Sequence, residues 1–151
     1  PDNSHGYTQD PATHLVPIVA KALATDSELA IFGNDYNTTD GTAERDYTHV
    51  YDVATAHISA MNYLSSDDTQ SGFFNIGAGQ PASVLDVISK FEEVTGKTLR
   101  TVVQDRRPGD AERSFADNSK ATSTFGWQPQ FTLTDIVEHA WAWETKKKRK
   151  K

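Results

Sequence analysis

Short extended stretches alternate with amphipathic helical stripes from residue 15 to residue 145, and that alternation confines the chain to an α/β architecture. The firmest segment is Ser83-Val84-Leu85-Asp86, a capping box in which the serine and the acidic residue satisfy each other's backbone N–H groups. It predicts a helix with Val84, Val87, Ile88 and Phe91 turned inward and Gly96 just past its end. Thr132-Leu133-Thr134-Asp135 repeats the device for a helix using Leu133, Ile136, Val137, Ala140 and Trp141. Leu15, Val16, Ile18, Val19, Ala22 and Leu23 form another helical stripe, with Pro17 tolerable because it falls in the first turn. Val53, Ala56, Ala60, Met61 and Leu64 form a fourth, for which Asp52 is the expected cap. Residues 29–32, 45–50, 73–76 and 99–103 are the expected strands, the first closed by Gly33.

At 151 residues the chain has the length of one domain: an irregular lead-in over 1–14, a body over 15–145 and a basic tail over 146–151. Mean hydropathy is -0.60 and no apolar run approaches bilayer length, so no membrane partner is expected. Without cysteine there is neither a disulfide framework nor a thiolate zinc site, and the cytoplasm is the default compartment. The net charge of -6 hides an asymmetry, because the last six residues are all Lys or Arg and leave the remainder at -12. An acidic body argues against specific nucleic-acid binding, which requires a basic face, and the lysine run reads as a solvated end that complements a helix C-terminus.

Several chemistries are excluded by spacing. Gly77-Ala78-Gly79 is followed by Gln80-Pro81-Ala82, which breaks the G-x-G-x-x-G pyrophosphate cradle and reads as a tight turn. None of the five tyrosines has a lysine four residues on, so the Tyr-x-x-x-Lys pair of hydride-transfer enzymes is missing. The five histidines lack an H-x-x-x-H spacing, no G-x-S-x-G elbow occurs, and no metal is expected. What remains suits a phosphorylated ligand. Arg45, Arg106 and Arg107 fall in loop or strand-edge contexts, where a guanidinium fork can hold phosphate oxygens, although a lone arginine is more often a surface ion-pair partner. Asp110 could accept from ribose hydroxyls or simply be a turn aspartate, and Phe32 could stack on a base or belong to the core.

A longer pattern joins these residues. Phe32-Gly33-Asn34-Asp35-Tyr36, Thr39-Asp40-Gly41-Thr42 and Arg45-Asp46-Tyr47-x-His49-Val50-x-Asp52 are followed by Phe74-Asn75-Ile76-Gly77-x-Gly79, Arg106-Arg107-Pro108-Gly109-Asp110 and Gly126-Trp127-x-Pro129. Over roughly residues 10 to 145 the order and spacing resemble the C-terminal half of the UDP-glucose 4-epimerases of the extended short-chain dehydrogenase family. The resemblance implies a small mixed α/β substrate-binding domain without its Rossmann half. In that family the other half holds NAD and the catalytic Ser/Thr, Tyr and Lys, this half closes over a UDP-sugar, and the whole enzyme is expected as a homodimer.

By matched position, the resemblance implies that Ala30 and Phe32 line the uracil pocket and that Arg45 and Arg107 hold the diphosphate. It places Tyr47 and Asp110 at the ribose, Val84 nearby and Leu15 at the sugar-diphosphate end. Ser114 matches the position that gates the sugar pocket, and a small residue there is similar to members that also accept N-acetylated sugars. His14 departs from a usual asparagine, Asn37 from a proline and Thr48 from an isoleucine. No catalytic or NAD-binding residue is expected on this chain, and alone it is expected to be inactive. Two other readings stand beside this one: a noncatalytic nucleotide-sugar-binding or interaction module, and a piece of a related NDP-sugar epimerase or dehydratase.

Overall fold

A computed structural model describes residues 6–66 and 70–148. Helices α1 (Leu15–Thr25), α3 (Val84–Thr95) and α5 (Leu133–Lys148) enclose the main core with strand β1 (Leu29–Phe32). Val19, Val87, Phe91 and Val137 lie fully buried at its centre, ringed by Leu23, Leu29, Ile31, Ile88 and Leu99. The inward positions expected of α3 are among these residues, since a capping box fixes the helix phase and the phase fixes the buried stripe. Ser83 accepts from Asp86 N at 2.9 Å while Asp86 Oδ2 accepts from Ser83 N at 2.9 Å, and Gly96 ends the helix at φ 64°. At α5 Thr132 and Asp135 form the equivalent bonds.

Two small sheets flank this core. β1 pairs in parallel with β4 (Thr101–Gln104), Leu29 opposite Thr101 and Phe32 opposite Gln104. β2 (Glu44–Asp46) lies between antiparallel β3 (Pro81–Ser83) and parallel β5 (Arg113–Ser114). The loop entering β2 is tied at two points: Asp40 accepts from Thr42 N and Oγ1, both at 2.8 Å, and from the Ser83 hydroxyl. Gly41 has φ 80°, and a Cβ there would fall 2.2 Å from Asn34 O, so the turn requires glycine twice over.

The remaining elements form a second cluster. Helix α2 (Val50–Leu64) sets Ala56 against Ala121 of α4 (Ser119–Phe125) and against Trp127, with Phe74, Ile76 and Phe125 at the edge. The opposite side of α2 is apolar too: Val50, Ile58, Met61 and Leu64 face outward, Met61 at 67% exposure. The four-residue recurrence from Val53 to Leu64 therefore marks a helix without marking a single inner face.

Several expectations are corrected. Asp52 is not the cap of α2; His49 is, its Nδ1 accepting from Tyr51 N at 3.0 Å, so the extended stretch expected to reach Val50 ends at Asp46. Residues 73–76 are irregular, with no strand pairing among the described residues: Phe73 is 96% exposed and its carbonyl takes the Lys120 ammonium. The expected strand over 99–103 is shifted to Thr101–Gln104, with Leu99 in the core before it. β3, β5 and α4 were not anticipated. α5 continues to Lys148; residues 149–151 of the tail, like 1–5 of the lead-in, lie outside the described residues. Residues 6–14 are irregular as expected, anchored where Trp143 Nε1 donates to Tyr7 O at 2.9 Å.

Candidate functional site

Arg45 of β2 and Asp110 of the 105–110 loop meet, and a backbone bond ties Asp110 to Arg107. Arg45 sits mid-strand, opposite Ala82 on one side and Ser114 on the other, so the sheet fixes the direction of its backbone. Its Nη1 donates to Glu44 O at 2.8 Å and its Nη2 lies 3.6 Å from Asp110 Oδ1. Asp110 closes a turn in which its own N–H donates to Arg107 O at 3.2 Å, with Gly109 at φ 86°. Arg45, Arg107 and Asp110 thus share one end of the molecule.

The neighbouring arginines differ in what holds them. Arg106 is clamped: Nε donates to Asp35 Oδ1 at 2.6 Å, Nη2 donates to Asp35 O, and the guanidinium lies 4.1 Å over the Tyr36 ring. Its hydrogen bond holds the Asp35 carboxyl below the usual range. Arg107 instead lies face-on to Phe32 at 3.7 Å, at the C-terminal end of β1, and makes no ion pair among the described residues. Ala30, two residues earlier, is half-buried opposite Val102.

Beside Arg45 lies an open cavity of about 570 Å³, walled by Asp46, Thr48, Phe74, Ser114 and Phe115. Ser114 is exposed on its rim. A second cavity, about 330 Å³, lies between α1 and residues 97–100; it contains none of the candidate residues. Leu15, Tyr47 and Val84 all pack against the main core, and none of them lines the cavity beside Arg45. Tyr47 is more enclosed than a ribose-contacting role suggests. Burial pushes its hydroxyl up to about 12, opposed by Arg45 and reinforced by Asp86, so it is a neutral donor at physiological pH.

The aspartates of the Arg45–Asp52 run proved to be joints, which reading the residues missed. Asp46 accepts from Ala78 N at 2.8 Å, Gly79 N at 3.3 Å and Ala116 N at 3.0 Å, binding the glycine turn and the irregular segment after β5 to β2. A Cβ on Gly77 would fall 2.3 Å from Asp46 Oδ2, which explains that glycine. Asp52, fully buried, accepts from Gln130 N at 2.9 Å and Phe131 N at 3.2 Å. The pattern that could have signalled this is a carboxylate in an apolar helical stretch whose cap position is already filled. Nearby, Tyr51 N occupies His49 Nδ1, so the neutral ring carries its proton on Nε2 and donates to His139 Nδ1 at 3.0 Å. Burial first, and then His139, lowers the His49 pKa below 6.5.

The helices and the two small sheets have the fold of the C-terminal portion of extended short-chain dehydrogenase-type epimerases. The profile of the GDP-mannose 4,6 dehydratase family matches residues 3–140, and the chain belongs to that family. It is 43% identical to the UDP-glucose 4-epimerase of Halalkalibacterium halodurans over 145 residues, which cover 95% of this chain and 43% of that relative. It is 40% identical to the UDP-glucose 4-epimerase of Streptococcus mutans over 96% of this chain and 44% of the relative. The Stenotrophomonas maltophila UDP-glucose-4-epimerase, solved with NAD and formylated UDP-arabinopyranose, superposes with TM-score 0.91 at 39% identity, covering 96% of this chain and 43% of that structure. The UDP-Glc/GlcNAc 4-epimerase of Campylobacter jejuni superposes with TM-score 0.79 at 36% identity, covering 95% and 43%. The chain therefore spans less than half the length of the relatives it matches.

Proposed function

We propose that this chain supplies the UDP-sugar-binding portion of a UDP-glucose 4-epimerase, which interconverts UDP-galactose and UDP-glucose with NAD. The observation that carries the reading is the Arg45–Asp110 ion pair, joined through the Arg107–Asp110 backbone turn to the stack of Arg107 on Phe32, with an open cavity adjoining Arg45. A ring for a base, two guanidinium groups for a diphosphate and a carboxylate for ribose hydroxyls are the parts such a ligand needs. In the complete enzyme, gripping the unreactive nucleotide handle provides the binding energy that positions the sugar.

NAD does not fit the glycine turn of this chain. The N–H groups of Ala78 and Gly79 are already held by the Asp46 carboxylate and so are not offered to a pyrophosphate. The cofactor and the proton-transferring groups are assigned to the portion of the relatives that this chain does not span. The chain alone is accordingly inactive in this reading. Ser114, small and on the cavity rim, leaves room for an N-acetylated sugar. Turnover of UDP-GlcNAc by the enzyme carrying this portion, reduced in Ser114→Tyr, is the expected result.

Calorimetric titration with UDP tests the core of the reading. The chain binds UDP, and Arg45→Ala weakens that binding by about 1.5–3 kcal/mol, the loss of one charge-assisted hydrogen bond to phosphate. An unchanged affinity in Arg45→Ala, or no UDP binding by the unaltered chain, refutes it.

A further inference from the structure

We propose that Arg107 makes base stacking on Phe32 conditional on a diphosphate, so that this one residue selects nucleoside diphosphates over nucleosides. The inference rests on the nucleotide reading above and specifies how the site discriminates.

The argument begins with the difference between two consecutive arginines. Arg106 has a carboxylate, a carbonyl and an aromatic face of its own in Asp35 and Tyr36, and its position is fixed from three directions. Arg107 has the Phe32 ring and, among the described residues, no ion pair. A guanidinium centred 3.7 Å from a phenyl ring is at stacking distance and covers one face of it. Phe32 is half-buried at the end of β1, so it has little ring surface to share. A pyrimidine approaching that face meets the guanidinium first.

Two claimants for one ring exchange at a cost that depends on the rest of the ligand. A nucleoside must displace Arg107 and offers it nothing in return. A nucleoside diphosphate displaces it and supplies phosphate oxygens, with which a planar guanidinium bonds better than with a phenyl face. Arg107 is on a loop that can accommodate this change: Gly109 at φ 86° meets no atom within 4 Å of a built Cβ, and the Arg107–Asp110 turn is surface-exposed throughout. Arg45 provides a fixed counterpart, because its strand is paired on both sides and its Nη1 is bonded to Glu44 O. One arginine is thus a standing phosphate contact and the other a contact released when the base arrives.

The test is calorimetric titration of the full chain with UDP and, separately, with uridine, for the unaltered protein, Arg107→Ala, Arg107→Lys and Phe32→Leu. Arg107→Ala is expected to weaken UDP by about tenfold or more and to strengthen uridine by about two- to fivefold, the release of one exposed cation–π contact. Arg107→Lys is expected to strengthen uridine similarly while losing less UDP affinity, since it keeps the charge without the planar stack. Phe32→Leu weakens both ligands. Uridine binding that is unchanged or weaker in Arg107→Ala, alongside normal UDP binding by the unaltered chain, overturns this inference alone. Failure of the unaltered chain to bind UDP overturns both it and the nucleotide reading. An independent readout needs no ligand: the Arg107 side-chain proton resonances are shifted upfield by the Phe32 ring and return to ordinary positions in Phe32→Leu, and their absence of shift also overturns the proposal.

Discussion

Asp52 and Asp110 carry the same carboxylate in opposite surroundings. Asp52 is fully buried, with both oxygens bonded to backbone N–H groups almost eighty residues along the chain. Asp110 is exposed on a loop, and its ionic partner is Arg45 at 3.6 Å. The first kind of group holds the fold together and is insensitive to what binds. The second contributes little to the fold and is available to a ligand. Both aspartates of the Arg45–Asp52 run are of the first kind, while Arg45 at its head pairs with Asp110, so structural and ligand-facing groups sit within eight residues of one another.

The sharpest way to break this division is Asp52→Ala. It removes the buried carboxylate that both the Gln130 and Phe131 N–H groups donate to and should lower unfolding free energy by about 2–4 kcal/mol, read as a shift in urea midpoint. A shift below about 0.5 kcal/mol would place Asp52 among the groups that matter little to the fold. Arg107→Ala is the complementary case. Its stability should stay within about 1 kcal/mol of the unaltered chain, the loss of one exposed cation–π contact, while UDP affinity falls by more; equal losses in both would erase the contrast.

A smaller effect belongs to pH. His49 has a pKa below 6.5 when folded, so between that lowered value and 6.5 the unfolded chain binds the proton and the folded chain does not. Stability is therefore complete above pH 6.5 and declines as pH falls through that window. His49→Asn keeps an acceptor for Tyr51 N without titrating, and its urea midpoint should change less between pH 7 and pH 5.5 than that of the unaltered chain. The least effect is expected from Lys21→Ala, which removes an exposed pair with Asp10 and should leave the urea midpoint within experimental error.

What could be read from residues alone follows the range of the interactions. α3 and α5 were legible because a capping box is local: its two partners lie three residues apart. β3 and β5 were not, because strands of three and two residues exist only through pairing with β2, and nothing in their own composition announces a partner. Asp52 was read as a cap because an acidic residue ahead of an apolar helical stretch commonly is one; the segment 127–131 that claims it is distant in sequence. At the site, Arg45, Arg107 and Asp110 were grouped by resemblance, since each by itself has the chemistry of an ordinary surface residue. The difference between Arg106 and Arg107 was invisible, as it depends on Asp35 and Tyr36 turning toward one and Phe32 toward the other.

Arg45 and Ser114 occupy opposite positions on the β2–β5 pairing, and both border the same cavity. Under the proposed reading, one of these neighbours serves the diphosphate and the other the sugar, and a parallel ladder allows neither to shift without its partner. Diversification at position 114 is therefore not free: a bulkier side chain that narrows sugar choice also presses on the anchor for the handle. Changes of substrate range in this lineage should come with matching adjustments elsewhere along the same rung.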